Sequence, residues 1–253
     1  MNKDLQKNIK TFFHYFDHIL YLTTDKIPAW ESTPLFQILI YSGIIDTLAK
    51  CAAGPKVSNY VRFTAFIKNF CEWKEHSKIS LPHLVMFLRV MPSPEFEKLR
   101  QFTYEKFDTW KKGEVIYLDS DPDYDGVLKL WPKDNALKEP IEKISLESLT
   151  HLHLLWKLRN SVVHEMRILG YGMSAIVTKD PGYHQMTHLK NEEDNDPLET
   201  WELVYPVSFL SNLIKTGIKN LKMYCEKNRL DPFDRFEFGT YWLGEFNKTF
   251  PGK

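Results

Sequence analysis

Cysteine is scarce in this chain. Three occur in 253 residues, Cys51, Cys71 and Cys225, far apart and with no C-x-x-C pair. That spacing excludes a disulfide framework and a zinc knuckle, and it points to a reducing compartment. Charge imbalance is also missing. Lys+Arg and Asp+Glu both number 33, so no global field draws in polyanions, and any nucleic-acid site has to be a local basic patch. The most apolar stretch, LFQILIYSGIID (35–46), is interrupted by Gln37 and Asp46 and is short for a bilayer span. The opening residues MNKDLQKNIK are too polar for a secretory leader. No glycine-rich phosphate loop is present, which argues against a kinase or a P-loop NTPase. No internal repeat stands out. These absences describe a cytoplasmic protein with no membrane partner.

What is present is the composition of a folded domain, 43% hydrophobic and 14% aromatic, in a chain long enough for a sizeable core. Ile9, Phe12, Phe13, Phe16, Ile19 and Leu20 recur at helical spacing, so 4–22 reads as an amphipathic helix. Residues 35–50 are apolar almost all round, as in a central bundle helix, and Gly54-Pro55 ends it. Further helices are expected from Arg62, from Ser80 with Pro82 in the first turn, and from Ser93 through Lys111 and Lys112 to Gly113. EVIYL (114–118) and VLKLW (127–131) flank the acidic DSDPDYDG and suggest a hairpin or a long loop. Ser145 and Gly170 bracket one long helix, 145–169. MSAIVTK (173–179) and ETWELVYP (199–206) alternate as strands, and Pro206 starts a helix through about Asn228. An aromatic tail, FDRFEFGTYWLGEF, follows from Phe233. The expected fold is mainly α, a helical bundle with small β-hairpin or strand additions. It forms a single domain over 1–253. Residues 1–170 make a helical core carrying the helix 145–169, while 171–253 supply a strand pair, a C-terminal helix and a tail packed on the core.

The helix 145–169 carries the unusual residues. At about 100° per residue, Leu155, Leu158, Val162, Met166 and Leu169 form the core stripe, and His153, Lys157, Asn160 and His164 fall on the opposite side. Arg167 lies at the edge of that polar face. Arg159 sits about 40° from Leu155, at the border of the apolar stripe, so it either snorkels outward or pairs with something buried. Arg159 and His164 are about 140° apart on an ideal helix, and both reach one atom only if the arginine wraps. A solvated face with a snorkelling arginine is the plain alternative. Asp46, alone in an apolar helix, is a candidate buried partner for an arginine that the sequence does not name.

LRNSVVHEMR (158–167) resembles the signature of the HEPN superfamily of small helical bundles: Arg, a polar residue, a few apolar residues, then His on a late helix. Arg159, Asn160 and His164 match position by position. The match covers those six residues; 35–110 is compatible, and the region after 170 lies outside it. The resemblance implies a HEPN-like fold and a metal-independent endoribonuclease that uses no cofactor. Its setting would be toxin–antitoxin or antiviral defence, with RNA as substrate, sites formed at a homodimer interface, and an antitoxin or other regulatory protein as partner. Some members keep the fold without activity, so a silent module binding RNA, nucleotide or protein is the alternative. A buried, ion-paired Arg159 would favour the module, and a plain protein-interaction scaffold is a third reading.

The chemistry suits these residue types. Histidine is a proton-transfer group near neutrality, and arginine is permanently charged and grips phosphate oxygens bidentately. Asn160 can orient the His164 ring or the substrate, and Lys157, Arg167 and His153 are candidate substrate-binding residues on the same side. One helix offers one His and one Arg, whereas RNA cleavage also needs a proton returned to the 5′-oxygen. A two-fold dimer pairing the faces around 153–167 would bring two His164 rings to a shared groove.

Two other patterns carry less. Asp121, Asp123, Asp125 and Gly126 mimic the start of a calcium loop, but Pro132 stands where the bidentate glutamate belongs, so an acidic turn is the better reading. His184 and His188, four apart without a zincin glutamate, read as solvated histidines, and no metal site is expected.

Overall fold

The computed structural model describes residues 2–28, 33–133, 144–169, 178–188 and 198–236. Its helices are α1 (Lys3–Asp25), α2 (Thr33–Ala53), α3 (Asn59–Phe70), α4 (Leu81–Val90), α5 (Glu97–Phe107), α6 (Tyr124–Leu128), α7 (His151–Glu165) and α8 (Val207–Asn228). Its strands are β1 (Ile116–Tyr117), β2 (Gly182–His188) and β3 (Leu198–Val204). The chain is mainly helical with a small antiparallel sheet, as the periodicity predicts.

Helix α2 is the hub, packed against α1, α3, α7 and α8. Tyr41, Ile44, Ile45, Leu48 and Ala49 are buried along it, because a helix apolar on every side is stable only when surrounded. It runs from Thr33 to Ala53, beyond the apolar stretch, and by length and composition alone it is long enough to cross a bilayer. Helix α1 buries Ile9, Phe12, Phe13, Phe16 and Leu20, and its partner α8 buries Leu210, Leu213, Ile214, Ile218 and Leu221. Gly217 lets α8 approach α3 closely: a Cβ there would lie 2.6 Å from Phe66 Cζ and 3.1 Å from Cys71 Sγ. Phe233 meets Phe12 edge-to-face and Phe236 lies tilted against it, so the start of the aromatic tail packs on the body; 237–253 lie outside the described residues. All three cysteines are buried and free.

Several expected elements are corrected. EVIYL and VLKLW do not pair with one another. Ile116 and Tyr117 pair instead with Tyr183 and Gly182 of β2. Val127 and Trp131 are four apart, bury together in a second core with Phe87 and Phe96, and belong to a helical turn. Of the strand expected at 173–179 only Thr178 and Lys179 are described, and neither is strand; the partner of β3 is β2, registered as Tyr183↔Leu203 and Gln185↔Trp201. Gly182 permits this, since a Cβ there would meet the Ile116 carbonyl oxygen at 2.9 Å. Residues 173–177 lie outside the described residues. The helix expected from Arg62 starts at Asn59 behind a Ser58 cap and stops at Phe70. The one expected from Ser93 opens with a 3₁₀ turn over Pro94–Phe96 and ends at Phe107, short of Lys111 and Gly113.

The acidic turn holds one buried member. Asp121 is 3% exposed. Its Oδ1 accepts the Leu81 N–H (2.9 Å), and its Oδ2 accepts the Tyr183 hydroxyl (2.6 Å) and lies 2.6 Å from His151 Nε2. Ser80 Oγ lies 2.8 Å from the Tyr183 hydroxyl oxygen, which can accept its proton, and Tyr205 donates to the His151 carbonyl (3.1 Å). Burial pushes the Tyr183 and Tyr205 hydroxyls well above the ordinary tyrosine range, Asp121 adding to both shifts. A buried carboxylate persists only where donors surround it. Here they come from α4, α7 and β2, so one side chain ties the sheet to the bundle.

Candidate functional site

The polar face belongs to α7, which is shorter than expected. Ser145 and Ser148 form a capping box around a 3₁₀ turn, Leu146–Leu149. The chain then extends at Thr150 (φ −71°, ψ 149°), where Ile79 bridges it and Lys78 accepts the His151 N–H. Thr150 caps α7 by accepting from His153 N at 3.3 Å. At the other end Met166 adopts a left-handed conformation (φ 53°) and its N–H returns to Ser161 O, while Ser161 Oγ donates to the Arg167 carbonyl. The helix therefore ends at Glu165 rather than 169; Gly170 lies outside the described residues. Leu155, Leu158 and Val162 form the core stripe, but Met166 (51% exposed) and Leu169 fall off it.

Arg159 does not snorkel. It is 8% exposed, and its partner is Asp46 of α2: Nε donates to Oδ2 at 3.1 Å and Nη2 donates to the same oxygen. The guanidinium lies 5.1 Å from the Trp156 ring centroid. Its far edge then turns along the helix. Nη1 donates to Asn160 Oδ1 at 2.9 Å and lies 3.1 Å from Nε2 of the exposed His164. Arginine can only donate, so in this contact His164 Nε2 is the accepting atom. The arginine wraps as its length permits, and the three motif residues meet.

The remaining candidates are spread out. Lys157 is exposed and makes no ion pair among the described residues. Arg167 lies beyond the helix and pairs with Glu165 (2.8 Å). His153 is half-buried against α3, its Nδ1 3.2 Å from the Tyr60 hydroxyl. Burial, and then the charge of Lys157, lower its pKa below the usual histidine range. Tyr60 and Phe63 also pack on Trp156, so an aromatic flank borders the motif. Trp156 lies three residues before Arg159 and was legible from that spacing. Tyr60 comes from a distant helix, and no sequence signal announced it.

Next to Arg159 the protein encloses only about 10 Å³, room for one water at most. Any substrate of the triad must lie across the surface. Among the described residues no three His, Cys, Asp or Glu side chains converge as a metal site. Asp121 is turned inward, away from any calcium position, and Asp123 pairs with Lys78. His184 is half-buried rather than solvated: its Nε2 is shut off without a hydrogen-bond partner among the described residues, and burial lowers its pKa. The side chain of His188 lies outside the described residues.

No protein-family model, curated protein or solved structure matches the chain.

Proposed function

We propose that this protein is a HEPN-like, metal-independent endoribonuclease of the cytoplasm, working as a homodimer in a defence or toxin–antitoxin setting under a regulatory protein. The observation that carries the reading is the bonding of Arg159 Nη1 to both Asn160 and the exposed His164. In this mechanism His164 Nε2 takes the proton of an RNA 2′-hydroxyl, and the oxygen attacks the adjacent phosphorus. The guanidinium edge, released from His164 by rotation of that exposed ring, stabilises the charge gathering on the phosphorane oxygens. Asp46 holds the opposite guanidinium edge and so fixes its orientation. Departure of the 5′-oxygen needs an acid, and protonated His164 of a second copy supplies it across the groove. Lys157 adds phosphate-binding charge.

The test is incubation of purified protein with a mixed RNA pool in EDTA, followed by end-group analysis. Cleavage should leave 2′,3′-cyclic phosphate and 5′-hydroxyl ends. His164→Ala should lose about 10²–10⁴-fold in rate, with thermal stability nearly unchanged. Arg159→Ala should also be inactive. No cleavage by wild-type protein removes the enzyme, and equal activity in His164→Ala removes its role. Sedimentation at micromolar concentration should show a dimer; an active monomer would overturn the shared groove.

A second reading, a silent module that binds RNA, nucleotide or protein, is favoured by the burial of Arg159. Four of its five N–H donors are already used within the chain. An RNA gel shift without cleavage would decide for it.

A further inference from the structure

On the other side of α7 from Asn160 and His164, Leu154 and Leu158 line a cavity of about 630 Å³, within the range of small-molecule sites. Most of its wall is apolar: Ile38 of α2, Met86 of α4, Trp201 and Leu203 of β3, Val207 of α8. Two polar groups in this wall have unmet capacity. Thr178 Oγ1 is shut off from solvent and has no hydrogen-bond partner among the described residues. His83, which is partly exposed, has one ring nitrogen without a hydrogen-bond partner among the described residues. Its Nδ1 is held 2.7 Å from the fully buried Ser80 Oγ, itself bonded to Tyr183 of the Asp121 cluster. The ring is thereby fixed, and Nε2 takes no hydrogen bond from the described residues. Burial, followed by the charges of His151 and Lys157, lowers the His83 pKa to about 4, so the ring is neutral at physiological pH. Lys179 and Glu202, of opposite sign, are the charged residues in the wall. The chamber thus has a greasy body, two unused hydrogen-bonding atoms and no net charge.

We propose that this cavity binds one neutral, largely apolar small molecule carrying a single hydroxyl, amide or amine group, which His83 Nε2 engages directly and Thr178 Oγ1 engages once its side chain rotates toward the cavity. A charged head would be stripped of water beside a neutral ring, which is costly. A wholly apolar molecule would leave both polar atoms unpaired. The site is independent of the catalytic reading of Arg159 and His164.

N-phenyl-1-naphthylamine is a suitable probe: neutral, aromatic, with one N–H. Its sulfonated relative, 8-anilinonaphthalene-1-sulfonate, shares the skeleton and adds a charge. Titration of the full chain should give saturable one-to-one binding of the neutral dye, with the sulfonate at least about tenfold weaker. Thr178→Val, an isosteric loss of one hydroxyl, should weaken the neutral dye about five- to tenfold. Met86→Trp, a substitution at an exposed wall position that spares the core, should weaken it further by filling the space. Trp201→Phe should reduce dye emission sensitised by tryptophan while directly excited emission persists. Circular dichroism of each variant confirms folding. Unsaturable or multiple binding, equal affinity for the sulfonate, or indifference to both Thr178→Val and Met86→Trp would overturn the proposal. Dye binding that fades as sedimentation detects a dimer would assign the cavity to a second copy, and would overturn it too.

Discussion

Replacing Asp121 with alanine tests whether one carboxylate holds the sheet to the bundle. The substitution strips the acceptor from three groups: the Leu81 N–H at 2.9 Å, the Tyr183 hydroxyl at 2.6 Å and His151 Nε2 at 2.6 Å. A buried donor left without a partner costs about 1–3 kcal/mol; the Tyr183 hydroxyl keeps Ser80 Oγ at 2.8 Å, so the other two set an upper range of about 2–6 kcal/mol. Removing a buried charge returns part of that, because its desolvation cost vanishes as well. About 4 kcal/mol is the expected loss, a large share of the roughly 5–15 kcal/mol that holds a domain folded. Asp121→Asn keeps an acceptor for Leu81 but turns an N–H₂ toward two donors, and should cost about half as much. The control is Asp123→Ala, two residues away in the same turn but 81% exposed, which should be indistinguishable from wild type. Urea unfolding at 25 °C, followed by far-UV circular dichroism and by tryptophan fluorescence, measures all three. A loss below about 1 kcal/mol for Asp121→Ala, within the range of surface changes, would refute the reasoning.

Three further outcomes are expected. Asp46→Asn should lower RNA cleavage about tenfold or more by freeing the Arg159 fork, and should cost about 1–3 kcal/mol, since Asp46 is 28% exposed; a rise in activity would make Asp46 a lock instead. His83 has a folded pKa of about 4, below its ordinary 6.5, so the unfolded chain takes up the proton first as pH falls. The contribution of neutral His83 is therefore complete above about pH 6.5 and is lost progressively down to about pH 4; His83→Gln should flatten the stability–pH curve in that window, and parallel curves would contradict it. Gly217→Ala gains up to about 1 kcal/mol of helix propensity but drives a methyl against the buried Phe66 ring, so thermal scans should show net destabilisation, relieved by Phe66→Leu.

The helices were legible wherever burial follows a simple period. The stripe Ile9, Phe12, Phe13, Phe16 and the all-round apolar α2 each name their element without help from the rest of the chain. The motif cluster was half legible. Its three residues could be named from spacing, and Asp46 stood out as a charge in an apolar helix, but that Arg159 is its partner depends on how α2 and α7 cross. The α7 boundaries were hidden for another reason. A threonine that leaves the helix to bridge Ile79 and a methionine in a left-handed cap are tertiary choices that local propensity does not anticipate. The burial of Asp121 was not legible in the sequence. Its three partners come from positions 81, 151 and 183, and no local window contains them.

The pairing of α1 with α8 has a consequence for synthesis. Phe12 waits for Phe233 and Phe236, and Asn8 Nδ2 donates to Asp231 Oδ2 at 2.6 Å, so the first helix finds its cover near the far end of the sequence. Roughly 180 residues separate the end of α1 from the start of α8, and at about 5–20 residues per second a ribosome takes some ten to forty seconds to make them. Throughout that interval an aromatic stripe is displayed without its shield, a natural docking point for a chaperone. A chain arrested before α8 would keep that stripe bare and should aggregate.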